Sequence, residues 1–104
     1  MLEELKAIDD DLLREVTGIF TADVPPQIVA LRAALAAGDA AEVERAAHRL
    51  KGIALGVGAR ALASAAAVIE RAGRAGDLEH TAPGAAGLDA AFEEARAALE
   101  RECC

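Results

Sequence analysis

Apolar residues recur at three- and four-residue intervals along most of the chain, and no long stretch alternates apolar with polar, so the pattern predicts helices and gives strands little support. Asp9, Asp10 and Asp11 offer N-caps for a first substantial helix carrying Leu12, Leu13, Val16, Ile19 and Phe20 as one apolar stripe. Val24-Pro25-Pro26 predicts a break or kink, because proline removes a donor and disfavours helical geometry in the residue before it. A second helix then runs to about Ala37 with Ile28, Val29, Leu31, Ala34 and Leu35 as its apolar positions, and Gly38-Asp39 reads as a stop followed by a new N-cap. The third helix is predicted from about Ala40 to Leu55. On a wheel of 100° per residue, Ala46, Ala47, Leu50, Ala54 and Val57 fall within about 60° of Val43 and define a buried face. Gly56 and Gly58 should tighten or end that helix. A fourth follows with Leu62, Ala65, Ala66, Ile69, Ala72 and Gly73 on one side, whose small residues allow close approach. Gly76 to Gly87 reads as a loop around Pro83-Gly84. Asp89 opens a last helix through Leu99, with Leu88, Ala91, Phe92, Ala95 and Leu99 facing inward.

Composition narrows this to thin, closely packed helices. The chain has 104 residues, 28 of them alanine, and its only aromatics are Phe20 and Phe92. Alanine favours helix and buries little area, so the expected fold is all-α: a single domain over 1–104, an antiparallel (up-down) four-helix bundle with an extra N-terminal helical segment and a frayed tail at 102–104. A formal charge of −7 would repel a phosphate backbone, so nucleic acid is not an expected partner. The N-terminus lacks a basic flank followed by an apolar run, and the longest nearly uninterrupted apolar segment, Ala61 to Ile69, is too short to cross a bilayer, so a soluble, cytoplasmic protein with no membrane partner is expected. Cys103 and Cys104 are adjacent at the end of the chain and form no disulfide framework.

Candidate chemistry gathers on the polar side of the third helix. His48 lies there with Glu44, Lys51, Gly52 and Leu55, flanked by Arg45 and Arg49. An imidazole supplies a nucleophilic nitrogen, the ammonium of Lys51 can hold phosphate oxygens, and Gly52 leaves room for another protein to approach the ring. Two roles stay open for Glu44: orienting or tuning the ring, or a surface ion pair with His48 or Lys51. Leu55, exposed beside His48, suits partner contact, and His80 reads as a solvated loop histidine.

Ala47-His48-Arg49-Leu50-Lys51-Gly52, followed by Val57-Gly58-Ala59, Leu62 and Ile69-Glu70, resembles the histidine-containing phosphotransfer (HPt) domains of multistep two-component phosphorelays. Phe20 to Pro25 and Leu31 to Asp39 resemble the family's preceding helix. The resemblance implies a bacterial relay protein in which His48 accepts a phosphoryl group from a receiver-domain aspartate of a hybrid sensor kinase and passes it to the receiver of a response regulator. It implies that Lys51 stabilises the phosphoryl group and that Gly52 keeps the approach open; Glu44, Arg45, Arg49 and Leu55, on and beside the same outward helix face, are the residues expected to meet the partner. The protein would act as a monomer without kinase activity or a cofactor of its own, Mg²⁺ being supplied by the receiver. Ile53 departs from the family, many of whose members carry a small hydroxyl residue after the glycine; its place at the edge of the core face favours packing into the bundle.

Other readings are a docking module that binds receivers without carrying phosphate, the phosphoacceptor domain of a chemotaxis kinase, and a metal site from His48, His80, Cys103 and Cys104, whose spacing fits no zinc pattern. A sensor-kinase fragment lacks support, because Arg49 stands where a carboxylate typically follows the histidine and no nucleotide-binding motif accompanies it.

Overall fold

The structure is a computed structural model that describes the backbone of residues 10–103, and the side chains of all of these except 10, 80, 82–84, 102 and 103. The expected N-terminal segment and the final Cys104 lie outside the described residues, as do the side chains of His80 and Cys103. Among the described residues four α-helices follow one another: α1 (Asp10–Ala37), α2 (Ala40–Val57), α3 (Arg60–Ala75) and α4 (Ala82–Cys103), with a 3₁₀ turn at Leu78–Thr81. Among the described residues there is no strand. Each helix packs on the next, and α4 returns against α1.

The first two predicted helices are one. α1 passes through Pro25 and Pro26 without interruption. A proline inside a helix costs about 3 kcal/mol, but Phe20, Val24, Ile28 and Leu31 are buried on both sides of the pair, and a break would uncover that continuous seam. The single N-terminal stripe also divides. Leu13 and Phe20 are core, whereas Leu12, Ile19 and, farther along, Val29 are exposed. Phe20 stacks on Phe92 of α4 with centroids 5.4 Å apart, joining α1 to α4 through the chain's two aromatics.

The ends of α2 follow the sequence closely. Gly38 takes φ 68°, a left-handed conformation that suits glycine, and the Asp39 carboxylate then accepts from the Glu42 backbone N–H at 3.2 Å. At the other end Gly58 (φ 76°) closes the helix, with the Ala59 N–H donating to the Ala54 carbonyl at 2.8 Å. Val43, Ala46, Ala47, Leu50, Ala54 and Val57 are all buried as the wheel predicts, and Ile53 packs at the core's edge.

The predicted loop at 76–87 is mostly helical. α4 starts at Ala82, so Pro83 lies in its first turn, where a missing N–H has no helical partner to lose and so costs nothing. Before it, Thr81 is buried and its hydroxyl donates to the Leu78 carbonyl at 2.7 Å. Arg32 ties α1 to this end of α4 by donating to the Ala85 carbonyl at 2.9 Å and pairing with Asp89 at 3.0 Å.

Candidate functional site

α2 and α3 approach closely because α3 has no side chain at the crossing. A Cβ on Gly73 would lie 2.8 Å from the Glu44 backbone nitrogen and 3.1 Å from the Ala40 carbonyl oxygen. That approach brings Glu70, one turn before Gly73, beneath the outward face of α2. Glu70 is only 4% exposed, yet its carboxylate meets two α2 side chains. One oxygen, Oε2, lies 2.7 Å from His48 Nδ1, and the other, Oε1, lies 2.5 Å from Lys51 Nζ.

This arrangement selects the tautomer of the neutral imidazole. The Lys51 ammonium, aided by His48, holds the Glu70 carboxyl below its ordinary range in spite of burial, so it is ionised at neutral pH. An ionised carboxylate can only accept, hence Nδ1 carries the shared proton and Nε2 of the neutral ring keeps its lone pair. The His48 side chain is 68% exposed, so the nucleophilic nitrogen belongs to a ring open to solvent. A fixed tautomer, a buried counter-charge and an accessible lone pair are the elements a nitrogen nucleophile requires.

An open depression beside the ring is lined by Glu44, Arg45, His48, Arg49, Glu70 and Arg74. Glu44 does not take the ring-orienting place; its carboxylate accepts from Arg74 Nε at 2.7 Å, while the ring is held by Glu70. The Arg74 guanidinium also reaches Glu70 Oε2 at 3.3 Å, the oxygen that binds His48. Arg45 and Arg49 share Glu42, which they hold below its ordinary pKa, and Arg49 Nε also donates to Gln27 on α1 at 3.0 Å. Gly52 has open space where a Cβ would project, and Leu55 is exposed one turn beyond it.

His48 and Lys51 thus share one carboxylate, and Arg45, Arg49 and Glu44 border the same depression as the ring. Helical spacing within α2 missed the contributions of Glu70 and Arg74, because both come from α3. A signal for Glu70 exists in the sequence: it stands four residues after Ala66 and three before Gly73, a carboxylate beside an otherwise small and apolar stripe. His80 falls in the 3₁₀ turn. No group of three or more metal-ligating side chains occurs among the described residues, and no helix there is long and apolar enough to cross a membrane.

Comparison with curated proteins and with solved structures gave no match. The Hpt domain family model matches residues 15–98, which span α1 from its second turn through most of α4 and include every residue of the His48 site. The chain therefore belongs to the Hpt domain family, and its role is phosphotransfer in two-component signalling.

Proposed function

We propose that the protein is a phosphorelay intermediate that takes a phosphoryl group onto His48 from a receiver aspartate of a hybrid sensor kinase and delivers it to the receiver of a response regulator. The observation that carries this reading is the exposed imidazole whose Nδ1 is bound to a buried, ionised carboxylate. His48 Nε2 attacks the phosphorus of the aspartyl phosphate in line; the N–P bond forms as the P–O bond to the carboxylate breaks, and the aspartate leaves as an anion. The imidazole ring becomes cationic while Nδ1 keeps its proton, and Glu70 offsets that charge at 2.7 Å. Reversal of the same step on a second receiver passes the group onward.

In this reading Lys51 stabilises the phosphoryl oxygens, Gly52 keeps the approach to the ring clear, and Glu44, Arg45, Arg49 and Leu55 meet the partner surface. Mg²⁺ is supplied by the receiver and the chain brings no cofactor or kinase activity of its own. We place α1 to α4 in an up-down antiparallel order, as the short connections after α1, α2 and α3 favour, and take the protein to be a bacterial, cytoplasmic monomer that presents its α2–α3 face to each receiver in turn.

Incubation with ³²P-labelled receiver domains tests this. Label should move to the wild-type protein and not to His48→Gln. If His48→Gln gains label at the wild-type rate, or if no receiver from the same organism transfers label, the proposal is wrong.

A further inference from the structure

The same site holds a second cation whose position Lys51 does not share. Lys51 is mostly covered, 29% exposed, and committed to Glu70 Oε1. Arg74 is 64% exposed and lines the depression into which the imidazole opens. Its guanidinium is linked to the ring through a single atom, since Nη2 and His48 Nδ1 share Glu70 Oε2. Its stronger partner is Glu44, by one contact at 2.7 Å between side chains that are both partly exposed. An exposed pair of this kind is weak, and a competing anion of higher charge displaces it.

We propose that Arg74 is a second phosphoryl-holding residue: when His48 is phosphorylated, its guanidinium leaves Glu44 and binds the phosphoryl oxygens from the depression side, adding to the hold of Lys51 from beside Glu70. This rests on the phosphotransfer reading above. The physical argument is charge. Phosphorylation brings up to two negative charges beside Glu70 and Glu44, both carboxylates, and the exposed cation that shares Glu70 Oε2 with the ring moves to the denser charge. A guanidinium also offers a planar fork that fits two phosphoryl oxygens, which Glu44 at one Nε contact does not use. Glu44 acts as the resting counter-ion that keeps Arg74 beside the ring when no phosphoryl group is there. It also lowers the pull of Arg74 on the incoming group.

The test uses phosphoramidate, a small phosphoryl donor that needs no receiver, and follows the phosphohistidine by ³¹P NMR across pH. A guanidinium on the phosphoryl oxygens favours the dianion, so the phosphoryl pKa should rise by about half a unit to one unit in Arg74→Gln and recover in part in Arg74→Lys. Glu44→Gln should shift it the opposite way. Melting curves of the unphosphorylated variants accompany the titrations, since a purely structural role would alter melting and leave the phosphoryl titration in place. A titration in Arg74→Gln that superimposes on wild type overturns the proposal, as does failure of phosphoramidate to label His48. Label from phosphoramidate with the shift present, but no label from any receiver, would keep the Arg74 assignment and remove the relay.

Discussion

Replacing Gly52 by alanine separates fold from function at one atom. Gly52 is interior to α2 and exposed, and a Cβ built there meets nothing within 4 Å, so the added methyl group strains no contact in the free protein. Alanine is favoured over glycine in a helix interior by about 1 kcal/mol. For a domain of this size that corresponds to a rise in melting temperature of about 4 °C. The same methyl group stands one turn beyond His48, on the side from which a receiver approaches in the proposed relay. Overpacking a close interface costs about 1–3 kcal/mol, which slows transfer from a phosphorylated receiver by roughly tenfold or more. Labelling by phosphoramidate, which carries no protein surface, should stay at the wild-type rate. Thermal unfolding followed by circular dichroism and rapid-quench transfer measure the two effects in one preparation. A lower melting temperature would show that the fold needs Gly52, and unchanged receiver transfer would refute its steric role.

Gly73→Ala should have the opposite effect on stability. Its Cβ would press on backbone atoms of Glu44 and Ala40, which yield only if α2 and α3 separate, so the variant should lose about 1–3 kcal/mol in urea unfolding. Its His48 NMR signals should also show a loosened contact to Glu70. Glu70→Gln leaves the Lys51 ammonium without its buried counter-charge; a loss of about 1–3 kcal/mol is expected. In that variant ¹⁵N shifts of the His48 ring should report a mixture of tautomers, whereas the Nδ1 contact to Glu70 leads to Nδ1–H as the expected wild-type form. Acid stability follows from the same carboxyl group. Its folded pKa lies below the ordinary 4.5, so its contribution is complete above that pH and is lost as pH falls below about 4.5 through the lowered value. Wild type should therefore lose more stability between pH 5 and pH 3 than Glu70→Gln, as read from urea midpoints.

The parts of the fold that were legible in the sequence are those fixed by one helix at a time. The buried face of α2, its Asp39 cap and its Gly58 stop depend on spacing and on local backbone chemistry, and all three stand in the structure. Pro25 and Pro26 misled because their local cost is real, while the seam from Phe20 to Leu31 that offsets it is formed with other helices. Pro83 misled in the other direction, since a proline followed by glycine reads as a turn although proline is also at home in the first turn of a helix. The site divides in the same way. His48, Lys51 and Gly52 share a helix face and could be grouped by spacing. The carboxylate on the ring could not, because spacing within one helix offers only Glu44, and Glu70 comes within reach of the ring only through the α2–α3 crossing at Gly73.

The regiochemistry of the phosphohistidine formed by a receiver bears most directly on the reading of this site. After transfer from a phosphorylated receiver, ³¹P and ¹⁵N spectra of ring-labelled protein identify the nitrogen that carries phosphorus. With Glu70 holding the Nδ1 proton, the product should be the Nε2 isomer on His48, labile in acid and stable in base. Phosphorus on Nδ1, or on any residue other than His48, would contradict the mechanism.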